Sequence, residues 1–352
     1  MFFYLLFVCF FFFLIFLALY DRKTPFQTKL LSFSVLLVDC LDGNLFPNHN
    51  HPIRNFLSGR SPKGTKLVKC SDICVDYKGS EISGRYFVPR QLSESDNVPI
   101  IIYYFGGGWI KGSSKSVENR FFCNNLCVRL RLPIFVCEYP LAPKNPHPAA
   151  IKHAILTAQW INNAKDDRLF KGVDQDRIIL SGLSSGGNIA AVSWLYAIEK
   201  KLDIASKIKA MILIQPAMIV LPIVGSFDSI KPNWSLSKST YRQMIEKYLG
   251  KEQMSEKAKR WDVNPINAKS LRNLSPSIII TSDKDPLIEE HEMLYKKMLK
   301  DNAIVHWECY EGEIHGFPVL KWSKYRQIAV DRIINFLELW NLLPSENTQK
   351  NK

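Results

Sequence analysis

Apolar and polar positions follow two rhythms along this chain. In KCSDICVDY (69–77) and SEISGRYFVP (80–89) they interleave with a period near two, and Lys78-Gly79-Ser80 between them predicts a hairpin. VPIIIYYF (98–105) is instead a continuous apolar run, the pattern of a strand buried on both faces. PIFVCEY, RIILSG, AMILIQ, SIIITSD and IVHWECYE repeat it further on. Helical patterns lie between these runs, near 116–130, 148–163, 186–201, 289–300 and 324–341. Alternating units of this kind predict an α/β fold: a mostly parallel eight-stranded sheet with an antiparallel start and helices on both faces. About 60 residues separate AMILIQ from SIIITSD, too many for a simple connection. We read the stretch around 217–270 as a helical cap over the carboxyl ends of the strands.

The amino terminus follows neither rhythm. MFFYLLFVCFFFFLIFLALY runs for 20 residues without a charge and stops at Asp21-Arg22-Lys23. About 20 apolar residues suffice to span a hydrocarbon core as one transmembrane helix. A basic leader and a small-x-small cleavage site are missing, which favours an uncleaved signal anchor over a cleaved signal peptide. The expected organisation is an anchor at 1–20, a membrane-proximal segment at 21–65 that contributes to the cap, a globular domain at 66–345 and a polar tail at 346–352. Sidedness stays open. Arg22, Lys23 and Lys29 follow the span, which points to a cytosolic domain. The sequons Asn233-Trp234-Ser235 and Asn273-Leu274-Ser275 point to a lumenal one.

Composition narrows the function classes. The chain has 352 residues, 47% hydrophobic and 22% charged, which suits one large domain with additions and excludes wholesale disorder. The net charge of +13 is spread in short pairs such as Lys200-Lys201 and Lys296-Lys297. With no zinc-finger, RNA-recognition or basic-zipper pattern, nucleic acid is not an expected partner. Of eight cysteines, Cys9 lies in the apolar span. The x3 spacings Cys70–Cys74 and Cys123–Cys127 have no histidine at ligand spacing, so buried free thiols are expected and no metal or other cofactor, with a single disulfide of unassigned partners as the alternative.

Ligands of open α/β sheets bind beyond the carboxyl ends of the strands. There the sequence places Gly106-Gly107-Gly108 after VPIIIYYF, Ser184 within Gly182-Leu183-Ser184-Ser185-Gly186, the carboxylates Asp283 and Asp285 after SIIITS, and His315 after the last strand. Gly-x-Ser-x-Gly between a strand and a helix is the pattern of a sharp turn that lifts a serine hydroxyl into view. That hydroxyl needs a base, and imidazole has a suitable pKa. His49, His51 and His147 sit in early loops or a proline-rich turn, His153 and His291 in helical patterns and His306 in a strand, leaving His315 as the candidate. An acid must then orient the imidazole. Asp285, before Pro286, is the first choice and Asp283 the second. Backbone N–H groups of the glycine run and of the residue after Ser184 are candidates to stabilise an oxyanion.

Taken together, FGGGW (105–109), EYPLAPKNPHPAA (138–150), GLSSGGN (182–188), DPLIEE (285–290) and HGF (315–317) resemble the hormone-sensitive-lipase-like branch of the α/β-hydrolases over roughly residues 70–340. With the apolar amino terminus, the chain is most similar to the arylacetamide deacetylase and neutral cholesterol ester hydrolase group of membrane esterases. The resemblance implies a serine carboxylesterase or lipase with Ser184 as nucleophile, His315 as base and Asp285 as acid. Gly107, Gly108 and Ser185 would donate to the oxyanion, and the domain would face the endoplasmic reticulum lumen. Membrane-partitioned small-molecule or lipid esters would be its substrates, with Met218, Ile219, Leu221, Phe227 and Trp234 as candidates to line an acyl pocket. The alternative is a non-catalytic, receptor-like member of the same fold, against which the retained His315 speaks. Three departures stand out: Phe105 where the family has His, Leu183 where it has an acidic residue, and Pro140 where it has Arg. Loss of the histidine is expected to unbrace the glycine loop.

Overall fold

The computed structural model describes residues 66–344, apart from 166, 231–235, 275 and 321–322. The apolar span at 1–20, the 21–65 segment, the 346–352 tail, Asn233 and Trp234 lie outside the described residues. Among the described residues, no helix is long and apolar enough to cross a membrane.

Among the described residues, eight strands form a single sheet: β1 (Val68–Tyr77), β2 (Ser80–Pro89), β3 (Val98–Tyr104), β4 (Ile134–Cys137), β5 (Val173–Leu183), β6 (Ile208–Ile214), β7 (Ser277–Ser282) and β8 (Val305–Tyr310). Their spatial order is β1-β2-β4-β3-β5-β6-β7-β8. β2 is antiparallel to both of its neighbours, and the pairs from β4 to β8 are parallel. The β1–β2 hairpin closes through Lys78 (φ 55°) and Gly79 (φ 72°), with Tyr77 opposite Ser80. Two successive positive φ values match the right-handed twist of the flanking strands, and glycine accepts one of them without strain. Every residue of β3 and β7 is buried, so these strands need no polar face.

The main helices are α1 (Val117–Leu130), α2 (Ala149–Asn163), α3 (Ser185–Glu199), α4 (Ser226–Ser229), α5 (Lys238–Leu249), α6 (Met254–Lys257), α7 (Ile288–Lys300) and α8 (Arg326–Leu339). Local signals set several starts. Ser116 caps α1 by accepting the Asn119 N–H, and Ser237 caps α5 by accepting the Thr240 N–H. α3 follows β5 with only Ser184 between them. Its first residues are small and fully buried, which lets the helix lie close against the sheet.

The chain leaves β3 toward β4 on one side and β5 toward β6 on the other. β3 and β5 are adjacent, so the crevice above their carboxyl ends is the switch point of the sheet. The long interval after β6 contributes α4, α5 and α6. It reaches back over that crevice. Tyr248 of α5 stacks on Trp109 (4.8 Å between ring centroids), and Asn188 Nδ2 of α3 donates to Val263 O (2.9 Å).

The interior corrects two expectations. Met218, Ile219 and Phe227 are buried, and Phe227 stacks on Tyr241 at 5.2 Å. They are packed core, because the interval must bury its own apolar side chains to hold together. The thiols of Cys123, Cys127 and Cys137 are free and buried as expected, and burial pushes Cys137 up to about 12. Cys74 and Cys309 are free but exposed, since each takes an outward position on a strand near a sheet edge.

Candidate active site

Between Ile178 and Leu195 every residue is buried except Ser184, which is partly open to solvent. The cause is a backbone turn that non-glycine residues rarely adopt. Ser184 has φ 55° and ψ −120°, and the flanking segments double back on each other. A Cβ at Gly186 would lie 2.0 Å from Tyr104 O, and one at Gly182 would lie 2.2 Å from Gly186 O. Only glycine fits at either place. Backbone bonds hold the strained residue: its N–H donates to Ile214 O (2.9 Å), and its O accepts the N–H groups of Gly187 (2.9 Å) and Ala217 (3.0 Å).

The exposed hydroxyl has a partner from the far end of the chain. Ser184 Oγ lies 2.9 Å from His315 Nε2, and His315 Nδ1 lies 2.9 Å from Asp285 Oδ2. The second carboxylate oxygen of Asp285 accepts the Leu287 N–H at 2.9 Å. Asp285 is fully buried. Burial alone opposes its charge, but the His315 imidazole and its hydrogen bond, His291 and the Leu287 N–H outweigh it and hold the carboxyl below the usual carboxylate range. Asp283 does other work: its Oδ1 accepts the Gly312 N–H at 2.6 Å and pins the start of the histidine loop. The first-choice acid is therefore the one that meets His315.

The glycine run after β3 meets the turn at Gly106, where an added Cβ would lie 3.3 Å from Ser184 Cβ, and Gly107 and Gly108 follow at φ 139° and 62°. A Cβ at Gly107 would lie 1.9 Å from Lys111 O, and one at Gly108 would lie 2.2 Å from Met244 Sδ. Among the described residues, none of the backbone hydrogen bonds of the loops and turns takes the N–H of Gly107, Gly108 or Ser185. Ser185 opens α3, where the first N–H groups have no partner within the helix and carry the positive end of its dipole. The geometry thus supplies a hydroxyl, a base at hydrogen-bond distance and a buried anion behind the base. A hydroxyl so placed can lose its proton as it attacks an electrophilic carbon.

The sequence profile of the α/β hydrolase fold family matches residues 101–319, more than half of the chain. The chain belongs to the α/β hydrolase fold family. Within it, the chain is 38% identical over 152 residues to probable carboxylesterase 6 of Arabidopsis thaliana, covering 42% of this chain and 45% of the relative. It is 25% identical over 251 residues to the carboxylic ester hydrolase LipN of Mycobacterium tuberculosis, covering 71% and 64%. The match spans less than two thirds of either relative. Among solved structures, the hyperthermophilic esterase of the archaeon Pyrobaculum calidifontis superimposes with a TM-score of 0.68 at 27% identity, over 77% of this chain and 86% of that one. A thermostable esterase of Pseudomonas putida shares the fold with a TM-score of 0.73 at 19% identity, over 93% and 99%.

One departure from the family pattern, Phe105, is accommodated by packing. Phe105 is fully buried and stacks on Tyr139 at 4.3 Å, while the Tyr139 hydroxyl donates to Phe105 O at 2.7 Å. This aromatic pair and its hydrogen bond, together with the Ala142 N–H donating to Trp109 O at 3.0 Å, brace the glycine loop in place of the expected histidine. Leu183 is buried beside the turn.

Several supporting residues escaped the sequence reading. Gln215 contacts the histidine loop on both sides of His315. Glu290 is fully buried, and its carboxylate accepts the N–H groups of Met218 (2.7 Å) and Val220 (3.3 Å) and the Tyr241 hydroxyl (3.0 Å). Burial pushes this carboxyl up to about 7 against those donors. His291 is also buried, bonds to Thr281 through Nδ1, and is pushed down to about 4 by burial. The one available signal was a polar residue at the end of an apolar run, as at Gln215, or inside an amphipathic helix on its apolar side, as at Glu290 and His291.

Proposed function

We propose that this hydrolase is a serine carboxylesterase that cleaves apolar acyl esters through an acyl-enzyme. The carrying observation is the unbroken chain Asp285–His315–Ser184, with both contacts at 2.9 Å. Ser184 Oγ attacks the ester carbonyl carbon, and its proton passes to His315 Nε2. The carbonyl oxygen becomes an oxyanion, for which the N–H groups of Gly107, Gly108 and Ser185 are the proposed donors. Collapse expels the alcohol, which takes the proton from His315, and leaves Ser184 acylated. Water then gives a proton to His315 as it attacks the acyl carbon, and collapse returns the proton to Ser184 with release of the acid. Asp285 stays ionised throughout, fixing the imidazole tautomer and balancing the imidazolium. Esterases among the relatives support this reading. A receptor-like role gives the three-residue chain no use.

The 20 apolar residues at the amino terminus support a signal anchor that holds the domain at a bilayer, where membrane-partitioned esters concentrate. Within this reading the protein is a single-pass membrane esterase facing the endoplasmic reticulum lumen, akin to the arylacetamide deacetylase and neutral cholesterol ester hydrolase group, acting on esters of short to medium acyl chains without metal or organic cofactor. The first test is hydrolysis of p-nitrophenyl butyrate by the wild type and by Ser184→Ala. A folded Ser184→Ala protein retaining near wild-type rate overturns the mechanism; reduction to a residual rate is the expected result.

A further inference from the structure

β6 ends at Ile214, and Gln215 turns away from it with φ 44° and no exposed surface. A buried amide must find partners for both its N–H groups and its oxygen. Gln215 finds three. Its Nε2 donates to Ser282 Oγ (2.7 Å) and to Ile314 O (3.1 Å), and its Oε1 accepts the Gly316 N–H (2.6 Å). Ile314 and Gly316 are the two residues that flank His315.

The rest of the residue is equally tied. The Gln215 N–H donates to Ile280 O at 2.7 Å, in the strand that leads to Asp285. Its neighbour Ile214 accepts the Ser184 N–H, and Ala217 donates to Ser184 O. The histidine loop itself has weaker local support. Gly312 and Gly316 both have positive φ, and the backbone bonds Lys284 N–H to Glu313 O and Phe317 N–H to Ile314 O are both 3.2 Å. The shortest tethers of the loop are side chains: Asp283 at Gly312 and Gln215 at Gly316.

We propose that the Gln215 amide is a clamp that sets the depth and angle of the His315 imidazole between Ser184 and Asp285 by holding the peptide groups on both sides of it. Gln215 touches none of the three reacting side chains through its own side chain, so it is a positioning residue, and the proposal rests on the triad reading above. Both acylation and deacylation move a proton through His315. A misplacement near 1 Å costs on the order of 10²-fold in rate. Substrate binding does not use the clamp, so the loss falls on kcat and leaves KM nearly unchanged.

Gln215→Met keeps the side-chain length and removes every polar atom. Gln215→Asn keeps the amide but stops one methylene short of the loop, and serves if the methionine variant does not fold. With p-nitrophenyl butyrate and concentrations set by folded protein, either variant is expected to lose about 10²-fold in kcat with KM within about twofold. The far-downfield proton resonance of the His315–Asp285 hydrogen bond is expected to broaden or vanish. A folded variant with wild-type kcat and an unchanged resonance overturns the clamp, provided Ser184→Ala is inactive in the same assay. Full activity in Ser184→Ala removes the triad reading and the clamp with it. A lowered melting temperature with kcat per folded molecule unchanged also overturns it, since that is what a purely structural residue would give.

Discussion

Replacing Asp285 by asparagine changes one atom, and the surroundings dictate how the new amide must lie. In the wild type one carboxylate oxygen accepts the Leu287 N–H and the other faces His315 Nδ1, each at 2.9 Å. Asparagine has one oxygen and one NH₂. The Leu287 N–H can only donate, so the oxygen stays with it. The reverse orientation would set NH₂ against N–H in a fully buried site and leave a donor unmet, at about 1–3 kcal/mol. The NH₂ group therefore faces His315 Nδ1 and makes that nitrogen the acceptor. The proton moves to Nε2, the nitrogen facing Ser184, where it can no longer receive the hydroxyl proton. A wrong tautomer of this kind lowers kcat about 10⁴-fold, equivalent to about 5 kcal/mol of barrier. Asp283→Asn is the matched control, because its new amide oxygen can still accept the Gly312 N–H. Its loss should stay below about tenfold, the scale of one weakened hydrogen bond. The assay is initial-rate hydrolysis of p-nitrophenyl butyrate, with melting curves to confirm folding. Equal losses in the two variants, or a larger loss for Asp283→Asn, refute the assignment.

Tyr139→Phe keeps the stack on Phe105 but strips the donor from a buried carbonyl, so urea denaturation should show a loss of about 1–3 kcal/mol; no loss would mean that the hydroxyl does not brace the loop. Glu290 has a folded pKa of about 7 against an ordinary 4.5, so the stability tied to its bound proton is full below 4.5 and is lost as pH rises through 7. Glu290→Gln should therefore flatten the fall in melting temperature across that window, and an unchanged slope contradicts the burial argument. The full chain should remain in the membrane pellet after alkaline carbonate extraction while a chain beginning near residue 25 does not; soluble recovery of a product lacking the first 20 residues would show a cleaved signal. Acetyl, butyryl and octanoyl esters should be turned over with or without a chelator. A strict metal requirement overturns the mechanism, and activity confined to charged esters overturns the substrate class.

The sheet was legible because its central strands are continuous apolar runs. β3 and β7 begin and end where those runs do, within a residue or so. β5 was read too short. It starts at Val173 in a polar-alternating stretch, paired with Val98 across an irregularity that no local pattern announces. Ser184, Asp285 and His315 were legible because each follows a strand in a parallel sheet, and parallel strands bring their carboxyl ends to one edge. The distinction between Asp285 and Asp283 was only a preference in the sequence, and the structure separates them by partner, His315 for one and the Gly312 N–H for the other. Gln215, Tyr139 and Glu290 were not read as part of the site. Their decisive contacts are 34 to 101 positions away in the chain, and neither periodicity nor spacing reports such pairs. Phe105 misled for the same reason: its partner Tyr139 arrives from the loop after the neighbouring strand β4.

The central claim is that Ser184 is a nucleophile activated by His315, and covalent capture tests it most directly. Wild-type protein is treated with an alkyl phosphonate that reacts only with activated serines, digested, and mapped by mass spectrometry. The expected result is one adduct per chain on Ser184, absent in Ser184→Ala and slowed by at least about 10³-fold in His315→Ala. An adduct on another residue, or labelling of Ser184 at an unchanged rate in His315→Ala, would contradict the account.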